Sequence, residues 1–153
     1  WKRRRANSTA RRVAHSEQIL RSLALSKVQT IKPSGRAQSV YLRLPVLMRS
    51  KQEKDAVCRI SVDHGLGISP LYPSSLQHIT ELRDTLSSQD VPQSTMIAER
   101  LVTLPTHELV SDSDLVRISS VIQAAQRVDD AATIRRPDIT NGQRHAPELP
   151  RII

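Results

Sequence analysis

The side chains able to do covalent or acid–base chemistry are few and scattered. Five lysines (Lys2, Lys27, Lys32, Lys51 and Lys54) could form imines or hold anions, five histidines (His15, His64, His78, His107 and His145) could move protons or bind a metal, and Cys58 could attack an electrophile. No two histidines stand at the i, i+4 spacing of a helical zinc site, and none has cysteine partners, so they read as surface or capping histidines and no metal site is expected. Gly65 and Gly67 begin a G-x-G, but Pro70 stands where the third glycine would be and no GK[ST] follows. A dinucleotide fingerprint and a P-loop are therefore both absent. No G-x-S-x-G elbow exposes a serine on a strained turn. Cys58, between Val57 and Ile60, reads as a structural thiol in a helix; as the only cysteine it excludes an intramolecular disulfide framework and fits a reducing compartment.

The elements that must position these residues can be read from apolar spacing. Ala6, Ala10, Val13, Leu20 and Ala24 recur at helical intervals, interrupted by Glu17, and predict a long helix over 5–25. Pro33, Ser34 and Gly35 mark a turn. In the strand-rich run Val40–Met48, Leu42, Leu44, Val46 and Met48 share the apolar face; Pro45 puts this strand at an edge or breaks it. Ser50 and Glu53 have capping-box spacing and Gly65 suits a helix end, which predicts a helix over 51–64. A second short strand is expected within 67–72. Leu76, Ile79, Leu82 and Leu86 predict a helix over 75–86, followed by a loop over 87–93. A short helix over 94–100 should lead into a strand at 101–104. Ser111 with Asp114 repeats the capping signature, and Leu115, Ile118, Ile122 and Ala125 form the stripe of a last helix ending near Val128. Residues 129–153, with three prolines, read as a disordered or loosely attached tail.

Charge and composition narrow the function classes. The 153 residues carry a net charge of +8, but residues 1–60 hold 15 basic and 3 acidic side chains, whereas 61–153 hold 8 and 12. A basic front half suits a solvated helix face, an anionic ligand, nucleic acid or an acidic partner. Leu, Ile and Val number 40, enough for a folded core, while Trp1, Tyr41 and Tyr72 are the whole aromatic complement, which disfavours a base-stacking platform. No apolar run approaches the roughly 20 residues of a membrane span, and no apolar stretch follows the basic N-terminus. A cytoplasmic protein without a membrane partner is expected. The chain begins on Trp1 instead of Met, which predicts a piece of something longer.

Four stretches, in this order, resemble the C-terminal part of the DegT/DnrJ/StrS family of sugar aminotransferases. They are Arg3-Arg4-Arg5-Ala6-Asn7, Tyr41-Leu42-Arg43-Leu44-Pro45-Val46, Gly67-Ile68-Ser69-Pro70-Leu71-Tyr72-Pro73, and Ala98-Glu99-Arg100-Leu101-Val102-Thr103-Leu104-Pro105-Thr106-His107 followed by Ser111 and Asp114. Together they cover about residues 3–125. The resemblance implies an α+β fold, the small C-terminal domain of a fold-type I aminotransferase dependent on pyridoxal phosphate. Residues 1–37 would be a long helix and linker leaving a large domain, and 38–128 the small domain. The family places its Schiff-base lysine in a Ser/His/Gly-rich motif of the large domain, and none of the five lysines here lies in such a setting. This chain is therefore expected to be inactive alone, with no catalytic or cofactor-binding residue of its own. Its implied role is wall and lid over the cofactor cleft of an enzyme that aminates a nucleotide-linked keto-sugar in polysaccharide or sugar biosynthesis, using an amino-acid donor and working as a homodimer. Tyr72 is the candidate hydrogen-bond donor to the substrate's phosphate or sugar, and Arg43 the candidate cation beside it. Where the family often has His, before the Tyr-Pro and again four residues after the Tyr, this chain has Leu71 and Leu76 or Gln77, with His78 close by. The alternative from another class is a small basic module that binds nucleic acid or a partner through 2–12; the scarcity of aromatic residues makes nucleic acid the less favoured partner.

Overall fold

The two helix starts marked by capping-box spacing, at Ser50 and Ser111, are capped through the serine hydroxyl. In the computed structural model, which describes residues 2–26, 28–31, 33–35, 37, 39–82 and 92–134, the elements run α1 (Lys2–Ser22), β1 (Gln29–Thr30), β2 (Arg43–Leu47), α2 (Lys51–His64), β3 (Ser69–Pro70), α3 (Pro92–Arg100), β4 (Leu101–Pro105) and α4 (Asp112–Ile134). At α2 the Ser50 hydroxyl accepts from the Glu53 amide at 3.1 Å, and Gly65 closes the helix at φ 62°, a left-handed conformation that glycine adopts without steric cost. Glu53 reaches back one residue further than a capping box requires, accepting the Arg49 amide at 2.9 Å and the Arg49 Nε at 2.6 Å. The Arg49 Nη2 then donates to the Gln126 carbonyl at 2.7 Å, joining the start of α2 to α4.

At α4 the cap is reciprocal: the Asp114 amide donates to the Ser111 hydroxyl at 3.2 Å, while that hydroxyl donates to the Asp114 carboxylate at 2.7 Å. The Ser111 hydroxyl and amide hold the Asp114 carboxyl below its ordinary pKa. A carboxylate depressed in the folded state contributes stability above its unfolded pKa and loses it as pH falls through the folded one. An NMR titration should give Asp114 a midpoint below that of an unstructured aspartate, and Ser111→Ala should raise it; an unmoved midpoint would mean that the cap is not formed in solution.

The strands make one antiparallel sheet in the order β1-β2-β4-β3. β4 is central and buried along all five residues; Arg43 to Leu47 of β2 face Pro105 to Leu101 in turn, and Ser69 and Pro70 face Thr103 and Val102. Strand alternation puts Leu44, Val46 and Met48 at 0% exposure against Val102 and Leu104, and α1, α2 and α4 cover that face with Ile19, Val57, Leu115, Ile118 and Ile122. The core is aliphatic, as the missing phenylalanines require.

Several elements depart from the spacing. The strand shortens to Arg43–Leu47, which leaves Leu42 72% exposed, and Pro45 does not break it. Proline is tolerated because β1 pairs only with Val46 and Leu47, so β2 has no described neighbour on that side at Pro45. Along α1 and the turn that follows it the buried face is Ser16, Ile19 and Leu23, with Ala6, Ala10 and Ala24 exposed. Burying Ile and Leu removes more apolar area than burying alanines, and Ser16 satisfies its own hydroxyl on the Val13 carbonyl at 2.8 Å. The expected 75–86 helix is instead two 3-10 turns, Leu76–His78 and Thr80–Leu82, separated by an extended Ile79. Leu76 and Leu82 stay exposed, so the stripe has no described partner to hold it helical; 83–86 lie outside the described residues, as does the expected loop up to residue 91. α3 starts two residues early, on Pro92, whose fixed φ suits a first helical position, and β4 takes in Pro105. α4 continues to Ile134 instead of stopping near Val128, taking in the first residues of the segment expected as tail; 135–153 lie outside the described residues.

Candidate functional site

Three elements wall a cleft of about 450 Å³ on the side of the Tyr-Pro turn. α2 presents Lys51, Asp55 and Cys58, whose spacing of four and three residues sets them on one face. α3 supplies Thr95 and Glu99, and the turn after β3 supplies Tyr72, Ser75 and His78. The turn is placed by pairing, since Ser69 and Pro70 hang on β4 and the chain has only Leu71 left before Tyr72.

Inside the cleft most polar groups are engaged. The buried Ser75 hydroxyl lies 2.8 Å from His78 Nδ1 and 3.1 Å from Thr95 Oγ1, which ties the turn to α3 and fixes the imidazole. Lys51 Nζ donates to Asp55 at 2.6 Å; that hydrogen bond and the charge of Asp55 push the lysine pKa up, helped by Glu99. Lys54, 7% exposed, donates its ammonium to the Ala98 carbonyl at 2.9 Å. Burial pushes the Cys58 thiol up, which keeps it protonated and agrees with a structural role.

The two site residues expected from sequence are not brought together. Tyr72 lines the cleft and is 52% exposed. Arg43 does not line it. Its guanidinium crosses β4 instead, with Nε donating to Thr103 Oγ1 at 2.7 Å and Nη2 to the Gly67 carbonyl, to Ser69 Oγ at 3.1 Å and to the Thr103 carbonyl at 3.0 Å. Partial burial lowers its pKa from the ordinary arginine value, though an arginine stays protonated. Arg43 thus braces the turn that carries Tyr72. The sequence reading did not assign Ser75, Thr95, Lys51 or Glu99 to a site. Ser75 and His78 do share an i, i+3 spacing, but Thr95 joins them only through the tertiary fold.

Neither lysine of the cleft fits the imine-forming lysine of a pyridoxal phosphate site. An imine-forming lysine must be able to shed its proton and swing to the cofactor carbonyl, whereas Lys51 is held charged by Asp55 and Lys54 is anchored on a backbone carbonyl. Among the described residues no group of three metal-ligating side chains comes together, and no helix is long and apolar enough to cross a membrane.

The family model for "DegT/DnrJ/EryC1/StrS aminotransferase family" matches residues 3–123. No curated protein matches. Among solved structures, the aminotransferase TlmJ from Streptoalloteichus hindustanus is 22% identical at a TM-score of 0.67, over 84% of this chain and 34% of its own. A putative sugar aminotransferase, Spr1654 from Streptococcus pneumoniae, in its PMP form is 16% identical at 0.70, over 84% and 33%. PseC from Helicobacter pylori, an aminotransferase of pseudoaminic acid biosynthesis, is 12% identical at 0.67, over 80% and 34%. The chain therefore shares the α+β fold of part of a fold-type I aminotransferase and spans about a third of the length of these structures. With the motifs around Arg3, Tyr41, Gly67 and Ala98 falling inside the matched residues, the chain belongs to the DegT/DnrJ/EryC1/StrS aminotransferase family.

Proposed function

We propose that the chain is the C-terminal, small-domain portion of a pyridoxal-phosphate-dependent transaminase that aminates a nucleotide-linked keto-sugar, with an amino acid as donor. The observation that carries this reading is the family match over 3–123 in a chain spanning only a third of the solved relatives, in which both lysines of the cleft are engaged. The cofactor and the Schiff-base lysine belong to the remaining two thirds of such a protein, which acts as a homodimer. Residues 1–37 lead out of that large domain, and 38–128 close over its cleft, orient the substrate and keep water out. Tyr72, exposed at the rim with no described hydrogen bond, is the group offered to the substrate. Arg43 serves that contact indirectly, by fixing Gly67 and Ser69 ahead of the turn.

The test is imine trapping. The purified chain, incubated with pyridoxal phosphate, reduced with borohydride and analysed by mass spectrometry, is expected to show no stoichiometric adduct at a defined lysine. A single stoichiometric adduct at Lys51, Lys54 or any other lysine would overturn the proposal and make this chain an enzyme in its own right.

A further inference from the structure

The balance of charge in the cleft says which part of a sugar substrate it can receive. A phosphate group needs positive charge that is not already balanced by carboxylates, supplied through charge-assisted donors. Of the two ammonium groups in the wall, Lys51 sits on Asp55 at 2.6 Å and Lys54 donates to the Ala98 carbonyl at 2.9 Å. Glu99 adds a second carboxylate close enough to act on Lys51. A phosphate entering here meets Asp55 and Glu99 as like charges, and loses its hydration against a wall whose exposed ammonium, Lys51, is already balanced by Asp55.

A neutral ring carrying several hydroxyls meets the reverse situation. Asp55 and Glu99 can accept from neighbouring hydroxyls, and Lys51, which spends one of its three N–H groups on Asp55, can still donate to a hydroxyl. The His78 ring is fixed through Nδ1 by Ser75 at 2.8 Å, which leaves Nε2 as the ring nitrogen without a described partner. Tyr72 adds a half-exposed aromatic face with a hydroxyl at its edge, apolar enough for ring C–H groups and polar at the tip. The volume of about 450 Å³ lies within the range of small-molecule sites. We infer that this cleft holds the pyranose ring of a sugar by its hydroxyls, between Tyr72, His78 and the Asp55–Lys51–Glu99 group, and does not hold the phosphate of a sugar nucleotide. The inference rests on the sugar-aminotransferase reading and names the part of the substrate that this domain recognises.

The test is an NMR titration of the isotope-labelled chain with neutral methyl hexosides of gluco, galacto and manno configuration, and separately with inorganic pyrophosphate. At least one hexoside should shift the amides of Ser74, His78 and Glu99, with an affinity that added salt does not weaken. Tyr72→Ala, at a half-exposed position, should weaken it about tenfold, or ~1.4 kcal/mol. Glu99→Gln, which keeps the shape and removes the charge, should weaken it as well, with the rest of the spectrum unchanged in both variants. If no hexoside shifts the cleft amides, or pyrophosphate shifts them more strongly, the inference is overturned. The imine-trapping result is independent of this titration, so failure of the sugar site and failure of the lid reading are told apart.

Discussion

Replacing Glu53 by alanine is expected to lower the free energy of unfolding by about 3–5 kcal/mol, the scale for removing one partner of a buried ion pair. The Glu53 side chain is fully buried and that of Arg49 is 18% exposed, and the two pair directly. Removing the carboxylate takes away the counter-charge of the guanidinium, the acceptor of the Arg49 amide and the reach-back that closes the start of α2. It also loosens the link to α4, because the same guanidinium donates to Gln126. Urea unfolding followed by circular dichroism measures the loss. Glu53→Gln, which keeps one carbonyl acceptor and the shape, should lose less. A loss below about 1 kcal/mol for the alanine variant would place the pair with solvent-screened surface bridges and contradict the burial described here.

Leu104→Ala is expected to cost about 2–5 kcal/mol, because it deletes a fully buried side chain from the central strand and leaves a cavity that β2 and the helices cannot close without moving. Val116→Ala on α4, at a position 61% exposed, is the control and should stay within about 0.5 kcal/mol. The contrast matters more than either number. Equal costs at the two positions would mean that the sheet does not pack against α1, α2 and α4 as described.

What could be read from the sequence was what local chemistry decides. Ser50, Gly65, Ser111 and Asp114 announced their helix ends because capping involves neighbours within four residues, and the alternation of Leu44, Val46 and Met48 announced a face because a strand has a period of two. The buried face of α1 differs from the periodic stripe because alanines and isoleucines count alike in a periodic pattern but not in buried area; Ile19, with Leu23 just past the helix end, decides it. The 75–86 helix failed because periodicity does not say whether a partner surface exists. β1, two residues long, carries almost no signal of its own and exists by pairing with Leu47 and Val46.

The candidate site divides the same way. Tyr72 and Arg43 were singled out through the family resemblance; Tyr72 does line the cleft, whereas the contacts of Arg43 with Gly67 and Thr103 span 24 and 60 residues of chain. Those contacts hold the Arg43 guanidinium on β4 and the segment ahead of the turn, outside the cleft that Tyr72 lines. The Ser75–Thr95 contact, across 20 residues, lies equally outside what spacing can reveal.

The junction of α3 and β4 has a mechanical consequence. Helix and strand are consecutive, Arg100 to Leu101, with no loop between them, and the Met48 amide donates to the Arg100 carbonyl at 2.9 Å while the Arg100 guanidinium returns to the Met48 carbonyl. One wall of the cleft is thus welded to the middle of the sheet. Thr95, Ala98 and Glu99 keep the sheet's frame of reference, and the facing Tyr72 turn hangs on the same β4 through Ser69 and Pro70, so both walls share one rigid strand as their common anchor.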